Sequence, residues 1–158
     1  VDALDEALRV IEALNAAGVD YVVVGAVALN AHGLVRTTED LDLFIRPDAS
    51  NIERLRQALR TVWADPEIEK ITAEDLCGDF PAVRYGPPDG DFFIDILTRL
   101  GEATGWADLE AQDREIEGVR IRVATPRTLY RMKRGTVRPI DAADAAALRS
   151  AFDLDEEA

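Results

Sequence analysis

The sequence predicts a mixed α/β fold: a mixed β-sheet with flanking helices and a short helical pair at its C-terminal end. Three observations predict it. Short strand-like runs, the β-branched YVVV (21–24) and LDLFI (41–45), alternate with stretches of helical periodicity such as 3–17. Glycine and proline punctuate the boundaries between them. The 158 residues are 47% hydrophobic and 31% charged, enough to bury one core. Such interleaving argues for helices packed on a sheet. No repeat or low-complexity linker divides the chain, so a single domain over 1–158 is expected, its C-terminal helical portion at about 126–152.

Each element has its own justification. Leu4, Leu8, Ile11 and Leu14 recur at helical spacing, and Gly18 stops that helix. YVVV reads as a buried strand that Gly25 breaks. Residues 26–32 suit two helical turns, with Gly33 as a left-handed exit. LDLFI is the next strand and stops at Pro47. Ser50-Asn51-Ile52-Glu53 has the capping-box pattern and opens a helix that Pro66 ends at the latest. Residues 67–80 are ambiguous. AVRY (82–85) and DFFIDIL (91–97) flank GPPDG and its Asp-Gly turn signal, which predicts a hairpin. Residues 106–112 are weakly helical, and REIE and VRIRV form two strands about Gly118. Thr125-Pro126 starts a helix running to about Arg134, and a last helix covers roughly 139–152.

Composition excludes several classes. No apolar run approaches the roughly 20 residues that span a bilayer. The start, VDALDEALRV, lacks the basic-then-apolar signal-peptide pattern. One cysteine, Cys77, rules out a disulfide framework and a cysteine-based zinc site within one chain. A reducing cytoplasm is the expected location. With 18 Lys and Arg against 31 Asp and Glu, the formal charge is −13. The bases cluster: Arg120, Arg122, Arg127, Arg131, Lys133, Arg134 and Arg138 lie between Val119 and Ile140 with no acid among them. That run reads either as an anion-binding patch or as neutralisation of neighbouring acidic helices.

The informative chemistry is Asp40-Leu41-Asp42 entering an apolar strand. Alternation puts Asp40 and Asp42 on one face and Leu41 and Leu43 on the other. Asp95, in the middle of FFIDIL, is hard to justify structurally. If its strand lies beside 41–45, three carboxylates converge. Two carboxylates ~5 Å apart repel by roughly 3 kcal/mol at an effective dielectric of about 20. A divalent cation relieves that, and an all-oxygen set suits Mg²⁺ or Mn²⁺. A bare Asp-x-Asp pair also reads as surface acids at a strand start. VVVGA (22–26) runs from strand through Gly25 into a helix, a place where Gly25 and Ala26 can present N–H groups to phosphate. Arg36-Thr37-Thr38 precedes the acids and reads as a phosphate contact or an exposed loop. His32, the only histidine, reads as a helix-end packing residue, which leaves a Ser-His-Asp triad no other base. Trp63, Trp106, Phe92 and Phe93 read as core.

Together these residues resemble the DNA polymerase β-like nucleotidyltransferase superfamily, and within it the AbiEii-like, toxin-type group. The residues that carry the resemblance are Gly25-Ala26, His32-Gly33, Arg36-Thr37-Thr38-Glu39-Asp40-Leu41-Asp42, and Asp95 as a third carboxylate from a later strand. Lys133, Arg138, Asp141 and Asp144 match the group's C-terminal helical pair. The resemblance implies a nucleotidyltransferase fold and a Mg²⁺- or Mn²⁺-dependent transfer of NMP from an NTP. Asp40, Asp42 and Asp95 would be the catalytic and metal-holding residues. Gly25, Ala26, Arg36, Thr38 and Lys133 would bind the nucleotide. The implied acceptor is an RNA, tRNA among them, or a protein hydroxyl, in a toxin–antitoxin setting with an antitoxin partner. Ala26 departs from the group's Gly or Ser: a serine hydroxyl can hold a triphosphate oxygen and alanine keeps only the backbone N–H. Two alternatives follow, a catalytically degenerate binding partner and an aminoglycoside-type modifier of small molecules.

Overall fold

The computed structural model describes residues 2–88, 90–102, 104–134 and 139–154. Helix α1 (Ala3–Ala17) starts where the Asp2 carboxylate accepts the Asp5 N–H at 2.8 Å and ends at Gly18, whose φ of 71° is the left-handed exit. Its buried residues are Ala7, Leu8, Val10, Ile11 and Leu14: three of the four predicted stripe positions with Ala7 and Val10 added, while Leu4 is only half-buried. Strand β1 (Tyr21–Val24) follows, then the short helix α2 (Gly25–Ala31), β2 (Asp40–Ile45) and α3 (Ala49–Val62). A 3₁₀ turn (Pro66–Lys70) and a one-turn helix α4 (Ala73–Leu76) fill the ambiguous stretch. Then come β3 (Ala82–Tyr85), β4 (Phe93–Leu97), the two-residue strands β5 (Arg99–Leu100) and β6 (Thr104–Gly105), β7 (Ala111–Ile116) and β8 (Val119–Ala124). Helices α5 (Pro126–Arg134) and α6 (Pro139–Phe152) close the chain and pack on each other.

Six strands form one mixed sheet in the order β3-β4-β2-β1-β8-β7, and β5 pairs separately with β6. The pairs β1/β2, β3/β4 and β7/β8 are antiparallel; β2/β4 and β1/β8 are parallel. The sheet is therefore mixed, as predicted. Leu41, Leu43 and Ile45 alternate onto a fully buried face. Helix α1 packs on β8 and β2, with α3 alongside it. The opposite face of β2 carries Asp40 and Asp42. Buried Asn51, at the start of α3, accepts the Asp20 N–H (2.8 Å) and donates to the carbonyls of Asp20 (2.9 Å) and Arg46 (3.0 Å). It ties the approach to β1 to the exit from β2.

Two expectations are corrected. The cap of α3 is Asp48, not Ser50: the Asp48 carboxylate accepts the Asn51 N–H at 2.8 Å, and the helix begins two residues earlier, at Ala49. Glu53 then turns to Arg56 and Arg60 instead of reaching back. The helix expected over 106–112 shrinks to one 3₁₀ turn, Trp106–Asp108, because Ala111 pairs with Ala124 and the sheet takes the remainder. Phe92 is buried, while Trp63, Trp106 and Phe93 are half-buried. No helix among the described residues is long and apolar enough to cross a membrane.

Candidate active site

The site forms where β1 stops. Gly25 has φ +72°, and a Cβ there would lie 2.0 Å from Asp42 Oδ2. Only glycine lets the chain turn here with the Asp42 carboxylate packed against its backbone. Register does the rest. Asp42 faces Val24 across the antiparallel β1/β2 pair and Asp95 across the parallel β2/β4 pair. Asp40, two residues before Asp42, shares its face. The three acids therefore converge, drawn from two neighbouring strands.

Like charges this close raise one another's proton affinity. Burial, then the Asp95 charge and a hydrogen bond shared with Asp95, push the Asp42 carboxyl up to about 7, while Lys133 pulls the other way. Burial also raises Asp40; Arg84 opposes that, and Asp95 and Glu39 add to it.

A residue that sequence reasoning missed completes the cluster. Arg84, on β3, is paired in register with Asp95. Its Nε donates to Asp95 Oδ1 at 2.9 Å, and its Nη2 donates to Asp40 Oδ2 at 3.0 Å and Asp95 Oδ2 at 3.3 Å. The guanidinium carbon sits 4.5 Å from the centre of the Phe93 ring. Hydrogen bonding to Asp95 is the main cause that holds the Arg84 guanidinium in its charged form. Among the described residues no group of three or more His, Cys, Asp or Glu side chains forms a ready-made metal cage.

A cleft of about 530 Å³ lies over the acids. Gly25, Ala26, Arg36 and Lys133 line it together with Asp40, Asp42 and Asp95. Thr38 lies outside it and accepts from Asn30 Nδ2 at 2.6 Å; Thr37 takes the lining position. Lys133 is held by Asp141 (3.1 Å) and Asp144 (3.0 Å), and Arg36 Nε lies 3.3 Å from Asp144. Asp141 and Asp144, which the resemblance matched, thus hold Lys133 and Arg36 at the cleft, which Arg84 also lines. Arg138 falls outside the described residues. A second cleft, about 730 Å³, adjoins Asp40 and Arg84 and is lined by Asp2, Glu6, Glu39 and Asp91.

Elsewhere the basic run meets acids. Arg120 and Arg122 face Asp113 at 3.6 and 3.4 Å, and Arg131 faces Glu110 at 3.5 Å. These bases are paired with acids, but the acids lie on β7 and in the loop before it, not on the acidic helices that the second reading of the run expected. His32 caps α2 as a packing residue: it is buried, its Nε2 lies 2.8 Å from the Ala124 carbonyl, and its ring meets Phe152 edge-on. Burial lowers its proton affinity, and the hydrogen bond to the Ala124 carbonyl opposes that.

Residues 7–151 match the family described as "Nucleotidyl transferase AbiEii toxin, Type IV TA system". No curated protein sequence matches the chain. Among solved structures, ANT(2")-Ia in complex with adenylyl-2"-tobramycin is similar with a TM-score of 0.57 and 11% identity, covering 91% of this chain and 86% of that one. A putative nucleotidyltransferase from Thermotoga maritima has a TM-score of 0.52 and 17% identity, covering 95% and 92%. An antigenic nucleotidyltransferase-like protein from Paracoccidioides brasiliensis has 0.53 and 17%, covering 95% and 77%. At such identities the likeness shows the shared fold.

Proposed function

The chain belongs to the AbiEii family of nucleotidyltransferase toxins, and from that premise we propose that it transfers a nucleoside monophosphate from an NTP to a hydroxyl of RNA, tRNA among them, or of a protein. The observation that carries this reading is the convergence of Asp40, Asp42 and Asp95 beside the Gly25 backbone. The donor set fits Mg²⁺ or Mn²⁺: it is all oxygen, and its charges repel one another until a cation arrives. Asp40, Asp42 and Asp95 would hold the ions. When bound, they would neutralise triphosphate charge and favour the ionised form of the attacking oxygen.

The protein's own groups supply the remainder. Asp95 accepts the proton of the acceptor hydroxyl, whose oxygen then attacks the α-phosphorus in line. The bond from that phosphorus to the bridging oxygen breaks, and pyrophosphate leaves. Gly25 and Ala26 offer backbone N–H groups to the phosphates; Ala26 adds no hydroxyl. Lys133 and Arg36, oriented by Asp141 and Asp144, offset the triphosphate charge. Catalysis here is positioning and electrostatics. In this reading the chain is the toxin of a toxin–antitoxin pair and an antitoxin protein is its partner.

The second cleft favours one other reading. Its acids would attract a cationic small acceptor, as an aminoglycoside is. One experiment separates the readings. Each α-labelled NTP is incubated with the protein, Mg²⁺ or Mn²⁺, and a cell extract, beside an Asp40→Ala/Asp42→Ala double variant. Label entering RNA or protein only with the intact acids is the expected result. In a parallel reaction with an aminoglycoside in place of the extract, label entering the drug would move the assignment to the second reading. No label from any NTP would overturn both and leave a degenerate binding partner.

A further inference from the structure

Among the described residues, Arg84 is the cation that contacts two of the three acids directly. Its fork bridges Asp40 and Asp95 from a neighbouring strand, and Phe93 supports the plane of the guanidinium. We infer that Arg84 is an internal counter-ion that occupies the position a divalent cation needs between Asp40 and Asp95, so that cation binding and Arg84 release are one exchange. The inference rests on the carboxylates being the cation site, as proposed above.

Three observations support it. The oxygens that an ion would need, Asp40 Oδ2 and both Asp95 oxygens, are those that Arg84 holds at 2.9–3.3 Å. Arg84 is also the in-register neighbour of Asp95 on the adjacent strand, with Phe93 4.5 Å beneath its guanidinium, so strand pairing and ring contact both place it over the acids. The exchange is also feasible. The Arg84 side chain is 53% exposed and its partners 28–30%, so both ion pairs are of the weak, solvent-screened kind. A doubly charged ion with shorter oxygen contacts displaces such a group. Arg84 already lines the second cleft, where it is the only base among the described lining residues. Without Arg84 the acids would meet the cation unopposed. Two weak ion pairs lost in competition correspond to roughly tenfold in affinity.

The test is Mn²⁺ binding to the nucleotide-free protein, read from the electron paramagnetic resonance of free Mn²⁺. Wild type, Arg84→Gln and an Asp40→Asn/Asp42→Asn double variant are compared. Arg84→Gln should bind Mn²⁺ about tenfold more tightly than wild type, and the double variant should not bind. Equal or weaker binding by Arg84→Gln, with the double variant still inert, would overturn the exchange and leave the carboxylate site standing. Binding by the double variant equal to wild type, or no binding by any of them, would remove the cation site itself. A measurement on the unaltered chain guards against a misfolded variant. The Arg84 Nε–Hε resonance should move as Mg²⁺ is added. Were it to stay fixed while the Asp40–Asp42 amides shift, the exchange would be refuted.

Discussion

Asp42 is the residue on which the site turns. Its carboxyl is moved from an ordinary 3.8 to about 7, chiefly by burial and by Asp95. The sign follows from linkage. The folded chain binds this proton more tightly than the unfolded chain, so the group's favourable contribution is full below pH 4 and is lost as pH rises through 7. Asp42→Asn keeps the shape and removes the titration. In the absence of divalent cations the variant should be more stable than wild type at pH 7.5, on the order of 2 kcal/mol or about 5 °C in thermal midpoint. The gap should close toward pH 4.5. Thermal unfolding at both pH values checks this; a variant less stable than wild type at pH 7.5 would show that the Asp42 charge is structural. Labelled transfer by the same variant should fall at least about a hundredfold, because the proposed cation site would lose a ligand.

Among the elements, the join between β1, β2 and α3 depends on one buried amide. Asn51 makes three hydrogen bonds to the backbone on either side of the β1/β2 pair. Asn51→Ala leaves the Asp20 N–H and two carbonyls without that partner in a buried place, at a cost of about 2–3 kcal/mol. The thermal midpoint should drop by roughly 5–10 °C, with transfer activity retained well below it. A change under about 1 °C would mean that water replaces the amide. Elements of this kind show what was legible. The strands at 21–24, 41–45, 82–85 and 93–97 and the helix starts at 3 and 126 followed from periodicity and turn chemistry, since these depend on neighbours in sequence. The approach of Asp95 to Asp42, 53 residues away, was carried only by the pattern of acids and the family resemblance. The Arg84–Asp95 pair was legible too and went unread: counting outward equally from Asp89-Gly90 places 84 opposite 95. The cap of α3 was misread because two good capping residues, Asp48 and Ser50, compete, and the Asp48 side chain also gains Arg46 at 2.5 Å. The end of the helix expected over 106–112 had no local signal. It is set by β8, whose partner strand begins at Ala111. The grip of Asp141 and Asp144 on Lys133 and Arg36 joins α6 to α5 and to the loop before β2, a meeting that sequence spacing does not contain.

For the whole molecule the dominant fact is a formal charge of −13. Such a body repels itself, and simple salt relieves the repulsion. Between about 10 and 100 mM NaCl the screening length falls from roughly 30 to 10 Å. The nucleotide-free chain should gain a few degrees in thermal midpoint over that range. The paired surface bases, Arg120 and Arg122 on Asp113 among them, offset little of this, since exposed pairs are worth about 0–1 kcal/mol each and are screened by the same salt. Mg²⁺ acts through a different route. An ion that binds only the folded chain stabilises it by about 2.7 kcal/mol at a hundred times its dissociation constant. For a chain of this length that is on the order of 5–10 °C. At matched ionic strength MgCl₂ should therefore raise the midpoint of wild type beyond NaCl, and should fail to do so in the Asp40→Asn/Asp42→Asn variant. Equal rises in both proteins would reduce Mg²⁺ to a screening ion, and the three acids would lose the cation that their convergence calls for.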